Sequence, residues 1–179
     1  MINIANISDV EEIQSLVNLA YRGDEGWTRE TDLVNGDRAT IEEIKSYIDS
    51  TNSFLFVYKS QAKIIATVLV ENKKEFAYIG LLAVNPMVQN KGLGKKMLAF
   101  AETFIKEELK LTRVKMLVVS QRNELISFYE RHGYKRTNRV DAYPSDAKVG
   151  SPKIHLTVEY LEKVLIDCFC SHFSSGNAY

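Results

Sequence analysis

Cysteine is nearly missing from this 179-residue sequence, with two residues, Cys168 and Cys170, close together near its end. One intervening residue is poor geometry for a mutual disulfide, and two cysteines build no disulfide framework. The expectation is a reducing, cytoplasmic setting. An excess of either charge is missing too: Lys plus Arg and Asp plus Glu each number 23. That balance argues against non-specific nucleic-acid binding and against a polybasic membrane anchor. No apolar run approaches the roughly 18 residues a membrane-crossing helix needs, so no membrane partner is expected. Residues 1–8 lack the basic-then-apolar order of a secretory leader. Only three prolines (Pro86, Pro144 and Pro152) punctuate the chain, and none marks a linker. What remains is 45% apolar and 26% charged, which suits one globular domain with a proper core.

Apolar spacing orders the chain into elements. Ile2, Ile4 and Ile7 suggest a short first strand, and Asp9 looks like the N-cap of a helix over 9–21 carrying Ile13, Leu16, Val17 and Ala20. Residues 22–39 read as a polar loop. Thr40 with Glu43 forms a capping-box pair that opens a short helix with Ile41, Ile44, Tyr47 and Ile48. From residue 53 the period shortens, and three β-rich runs, 54–58, 63–70 and 76–84, form an antiparallel meander. A long helix over 92–109 follows, then a strand at 114–119, a helix over 122–131, and strands at 134–140 and 154–160. Helices inserted among strands of a mainly antiparallel sheet make a mixed α/β layer fold. Residues 1–160 are expected to form the domain and 161–179 a C-terminal extension. Leu161, Val164, Leu165, Cys168 and Phe169 have helical spacing there, so the tail reads equally as a docked helix, a homodimer contact or a frayed extension.

The chemistry-bearing stretch is 79–96. A strand ends in Leu81-Leu82-Ala83-Val84, then come Asn85-Pro86 and Gln89-Asn90-Lys91-Gly92-Leu93-Gly94-Lys95-Lys96. Glycines that open a helix directly after a strand leave main-chain N–H groups without helical partners at the positive end of the helix dipole. Residues 89–115 hold seven basic side chains against three acidic ones, which in a neutral protein points to an anion site, most simply phosphate. A Walker loop is excluded, since residue 89 is not glycine and Lys96 follows Gly94-Lys95. The Rossmann fingerprint is excluded by Met97 at its third glycine. On these residues alone, an anion site and a bare strand-to-helix turn both stay open.

Two motifs in order narrow the choice. Gln89-x-x-Gly92-x-Gly94, preceded by Ala83-Val84-x-Pro86, resembles the acetyl-CoA-binding motif of the GNAT N-acetyltransferase superfamily. The run from Asn123 through Phe128-Tyr129 to Gly133-Tyr134 resembles that family's second signature, and the likeness extends over residues 2–160. The resemblance implies a mostly antiparallel seven-stranded sheet with helices on both faces. It implies acetyl-CoA as co-substrate, no metal, and a small-molecule amine as acceptor that attacks the thioester directly. Leu82, Ala83 and Val84 would meet the pantetheine arm, and Gln89, Asn90, Lys91, Gly92, Leu93, Gly94 and Lys95 the pyrophosphate. Asn123 would contact the coenzyme, and Tyr129 would protonate the departing thiolate. That last role is chemically sound, because a thiol of pKa about 8.5 is a good leaving group that needs only a positioned O–H donor.

The acceptor side is less defined. Some family members carry a glutamate base six residues before the valine of the Ala-Val pair, where this chain has Tyr78. Glu75, Glu25, Glu30 or a water chain stand in as candidates. The resemblance implies that the segment between the first two helices lines the acceptor site. Here it holds Glu25, Trp27 and Glu30, which suit an ammonium by charge pairing and cation–π contact, and Arg29 and Arg38, which suit a carboxylate. The same groups equally suit mutual pairing and core packing. His132 reads as helix C-capping, and Cys168, Cys170 and His172 match no zinc spacing. A non-catalytic acyl-CoA-binding module and a protein or peptide acetyltransferase are the competing readings.

Overall fold

Apolar residues that alternate along 53–84 place one set on each face of a sheet, and this alternation organises the molecule. The structure, a computed structural model, describes residues 1–25, 30–89, 91–144 and 150–166. Strands β1 (Ile2–Ile4), β3 (Ser53–Ser60), β4 (Lys63–Asn72), β5 (Ala77–Val84), β6 (Arg113–Val119), β7 (Lys135–Ala142) and β9 (Thr157–Val164) form one sheet in the order β1-β3-β4-β5-β6-β9-β7. Every pairing in it is antiparallel except β5 with β6, which the helix α3 (Leu93–Glu107) connects. Short strands β2 (Val34–Asn35) and β8 (Ser151–Pro152) pair separately. The mixed α/β architecture and the antiparallel meander expected from periodicity are both present.

Each face of the sheet has its own core. Leu55, Val57, Leu69, Leu81 and Ala83 pack beneath α1 (Val10–Arg22) and α2 (Ile41–Asp49), meeting Ile13, Leu16, Val17 and Ile44. Phe56, Val68, Val70 and Ile79 face the other way, against Met97, Leu98, Ala101 and Ile105 of α3 and Ile126 of α4 (Asn123–Arg131). Residues 66–70 are buried throughout, as a central strand covered on both faces requires.

The sequence expectation and the structure differ most at the first and last strands. The first strand stops at Ile4, because Asn6 and Asp9 form a capping box around a 3-10 turn over Ile7–Asp9. Asp9 occupies the N-cap position of α1, yet its carboxylate accepts from Asn6 N and from Lys59 Nζ at 2.6 Å instead of capping the helix. The last strand begins at Thr157 and runs through residue 160 to Val164, pairing with β6 along its whole length and burying Leu161. Residues 161–164 thus belong to the sheet, since pairing with a central strand overrides the helical spacing. Leu165 is buried and its N donates to Thr112 O at 2.7 Å; the tail from residue 167 on, including Cys168, Cys170 and His172, lies outside the described residues. Among the described residues, no helix is long and apolar enough to cross a membrane, and no cluster of three or more His, Cys, Asp or Glu is placed to hold a metal.

Candidate active site

The sheet opens where β5 and β6 part. The two strands pair only at Ala77↔Val114 and Tyr78↔Lys115. Beyond that point β5 bulges: its register against β4 shifts between Thr67 and Leu69, and Leu81 adopts φ +44°. A non-glycine residue in the left-handed region is strained, and here it turns the strand end away from its neighbour. Leu82 to Val84 therefore line an opening on the β6 side, while Ala83 and Val84 stay paired with β4.

The outer part of the opening is a cavity of about 380 Å³ between the end of β5 and the starts of α3 and α4. Leu82, Ala83, Val84, Gln89, Gly92, Leu93, Gly94, Lys95 and Tyr129 are among the residues that line it. Gly92 caps α3 at φ +74°, and a Cβ there would meet nothing within 4 Å, so the backbone conformation explains the glycine. The first helical bond runs from Lys96 N to Gly92 O at 3.0 Å, leaving the amides of Leu93, Gly94 and Lys95 without helical acceptors. No acidic residue sits in that first turn. Gln89 contributes differently: its Nε2 donates to Val84 O at 3.0 Å, bracing the turn. Lys91 is exposed and outside the lining, Lys96 rests over the Tyr58 ring at 4.8 Å, and Asn90 lies outside the described residues. Asn123 begins α4 but is exposed and does not line the cavity, so the coenzyme contact expected of it has no counterpart in this lining.

A second, inner cavity of about 300 Å³ lies behind the first. Tyr21, Leu82, Arg122, Leu125 and Tyr129 line both. The inner wall is completed by Glu30, Arg38, Glu43, Tyr47, Tyr78 and Tyr143, among others. Glu30 is buried, 4% exposed, and bonds Arg22 Nη1 and, at 2.5 Å, Arg122 Nη1 from a position 92 residues away. Burial pushes its carboxyl up, but Arg122 and Arg22 more than offset this and hold it below the ordinary carboxylate range. Glu30 is thus a neutralised anchor, which corrects its candidacy as a base or free ammonium contact. Tyr21 lies between the guanidinium groups of Arg122 and Arg38, 5.2 and 5.4 Å from its ring centre, and its hydroxyl donates to Leu82 O at 3.4 Å.

Of the other acceptor candidates, Tyr78 lines the inner cavity, and burial, partly opposed by Arg38, pushes its hydroxyl up to about 12. Glu25 is exposed and away from both cavities. Trp27 and Arg29 lie outside the described residues. Glu75 sits exposed in the turn before β5, with its backbone N donating to Lys73 O. His132 plays the capping role expected, its Nδ1 2.7 Å from Phe128 O.

Tyr129 joins the two spaces. Its ring is held edge-on by Phe128 and Tyr134, at 5.3 and 5.8 Å between centres. Tyr134 is fixed in turn by its bond to Glu102 at 2.9 Å, which Lys163 also holds. The Tyr129 hydroxyl has no hydrogen-bond partner among the described residues, and burial pushes it well above the ordinary tyrosine value, so it stays protonated. Tyr21 opens the segment expected to line the acceptor site, whereas Arg122 and Arg131 were not expected as lining residues, because only the fold brings them to the opening. Sequence reasoning also missed β2 and β8, which are two residues each and carry no period.

Comparison with known proteins agrees with this architecture. Residues 11–134 match the model of the Acetyltransferase (GNAT) family. The fold resembles smu.2055 from Streptococcus mutans UA159, with a TM-score of 0.72 and 18% identity over 93% of this chain and 99% of that one. An N-acetyltransferase from Staphylococcus aureus Mu50 gives 0.72 and 16% over 93% and 98%. The ribosomal-protein-S18-alanine N-acetyltransferase from Escherichia coli gives 0.70 and 13% over 100% and 98%. A comparison with curated proteins returned no significant match.

Proposed function

The chain belongs to the Acetyltransferase (GNAT) family, and on that premise we propose that it transfers an acetyl group from acetyl-CoA to a primary amine of a small molecule by direct attack in a ternary complex. The observation that carries this reading is Tyr129, which lines both the outer and the inner cavity and whose hydroxyl has no partner among the described residues.

The outer cavity suits the coenzyme. The amides of Leu93, Gly94 and Lys95, at a helix start free of acidic residues, match a diphosphate. The side of β5 that has no ladder with β6 past Tyr78 suits the amides of a pantetheine arm. Acetyl-CoA supplies an acyl group on a thiolate of low basicity. The chain supplies position and one proton. Held between two cavities, amine and thioester meet at high effective concentration, which removes several kcal/mol of the barrier. Tyr129 keeps its proton at every working pH and offers it to the sulfur as the C–S bond breaks. Its pKa stands above a thiol's, near 8.5, so a tyrosinate does not persist: the proton lent to the sulfur is replaced by the one the attacking nitrogen sheds as the C–N bond forms, and solvent takes the proton the ammonium loses before attack. A cytoplasmic setting accompanies this reading.

The test is release of coenzyme A thiol on mixing the protein with acetyl-CoA and single amines. Release that saturates with one amine class is expected. Thermal stabilisation by acetyl-CoA without release by any amine would replace the transferase with a non-catalytic acyl-CoA-binding module.

A further inference from the structure

We propose that the inner cavity selects an α-amino-acid head, a carboxylate with an amine on the neighbouring carbon, through Arg38 and Glu43; this rests on the reading above that the inner cavity takes the acceptor. Two side-chain atoms stand out among the described residues as buried without a hydrogen-bond partner: Arg38 Nη1 and Glu43 Oε2. Both belong to residues lining the inner cavity. They are neighbours, since Arg38 Nη1 lies 3.9 Å from Glu43 Oε1, beyond hydrogen-bond distance. A buried polar atom left unsatisfied costs about 1–3 kcal/mol, and more when charged, so two side by side in one cavity call for a ligand.

The pair is held in place from behind. Arg38 N and Ala39 N donate to Asn18 Oδ1 at 2.7 and 3.1 Å, fixing the chain ahead of α2. Glu43 N donates to Thr40 Oγ1 at 3.1 Å, and Glu43 Oε1 accepts from Tyr47 Oη at 2.9 Å. Arg38 Nη1 and Glu43 Oε2 are left without partners, on two residues that both line the inner cavity. Their complement is an anion and a charged donor equally close together, which an α-amino acid provides on adjacent carbons.

The surrounding charges favour the same ligand. Glu30 already binds Arg22 and Arg122, so three arginines share two glutamates around this cavity. A polyamine or an aminoglycoside would bring only cations and leave Arg38 Nη1 without a hydrogen-bond acceptor. A zwitterion satisfies both open atoms and adds no net charge.

The test compares phenylalanine with phenethylamine, and leucine with isoamylamine, in the thiol-release assay. Each amino acid should exceed its decarboxylated amine in kcat/KM by roughly 10- to 100-fold, the range for charge-assisted bonds to a buried partner. Arg38→Gln should raise KM for the amino acid and collapse that preference, and Arg38→Lys should restore part of it. Acetyl-CoA stabilisation of both variants reports that they fold. Should they not fold, the wild-type preference decides by itself. Equal or better use of decarboxylated amines, polyamines or aminoglycosides would overturn the proposal while leaving the transferase standing. If no amine is acetylated, the transferase reading fails separately. Calorimetric titration of phenylalanine against phenethylamine then still decides the role of the pair, and equal affinities overturn it.

Discussion

The outer cavity is lined largely by one short stretch, residues 82–95, and presents main-chain amides, whereas the inner cavity gathers side chains from residues 21, 30, 38, 43, 78, 122 and 129. The first is local: a bulged strand end, a left-handed Gly92 and a helix start bring bare amides together whatever most of the side chains are, and it is there that we propose the diphosphate binds. The second is tertiary. It exists only because Glu30 and Arg122 meet at 2.5 Å and because Tyr21 bridges two arginines. A backbone site tolerates substitution except where conformation is at stake. A side-chain site built on buried charge tolerates almost none.

The largest effect is therefore expected inside. Glu30→Gln leaves Arg22 and Arg122 without their shared carboxylate and should cost about 3–5 kcal/mol in denaturant unfolding, as breaking a buried ion pair does. A loss under about 1 kcal/mol, the value of an exposed pair, would mean the inner wall does not depend on this anchor. The same group sets an acid limit. Its folded pKa lies below the 4.5 of a free glutamate, so its stabilisation is complete above pH 4.5 and is lost as pH falls through the folded value. Wild type should lose stability below pH 4.5 more steeply than Glu30→Gln, and parallel curves would refute the assignment.

At the junction, Tyr129→Phe removes the proposed proton donor but keeps the ring packed against Phe128 and Tyr134. We expect kcat to fall about 100-fold, or about 2.7 kcal/mol, with the acetyl-CoA Kd unchanged. An equal loss in affinity would make Tyr129 a packing residue. In the outer cavity, Gly92→Ala forces a Cβ into the left-handed region at a cost of about 1–2 kcal/mol, and should weaken acetyl-CoA binding about tenfold without altering KM for the amine. The smallest effect separates structure from resemblance. Asn123→Ala, at an exposed position outside both linings, should change acetyl-CoA affinity by less than about 0.5 kcal/mol. A larger change would restore the contact the resemblance implies.

The same contrast explains what could be read from the sequence. The glycine turn, the meander and the helices were visible because periodicity and helix-start chemistry act within a dozen residues. Tyr129 was visible because its motif is contiguous. Arg122 was not, since nothing near residue 122 reports a carboxylate at residue 30. Leu161 to Val164 looked helical because Leu161, Val164 and Leu165 are spaced like a helix, yet a full-length partner strand decides the outcome. The pairing of β2 with β8 lies below any pattern, as two-residue strands have no period.

The central claim is that bare amides at the start of α3 grip the diphosphate of a thioester coenzyme and aim its acyl end at Tyr129. Amide NMR shifts, followed while acetyl-CoA and then acetyl-pantetheine are titrated in, test it most directly. The account predicts that Leu93, Gly94 and Lys95 move most with acetyl-CoA and hardly at all with acetyl-pantetheine, while residues beside Tyr129 respond to both. Equal shifts at residues 93–95 with the two compounds, or none with acetyl-CoA, would contradict it.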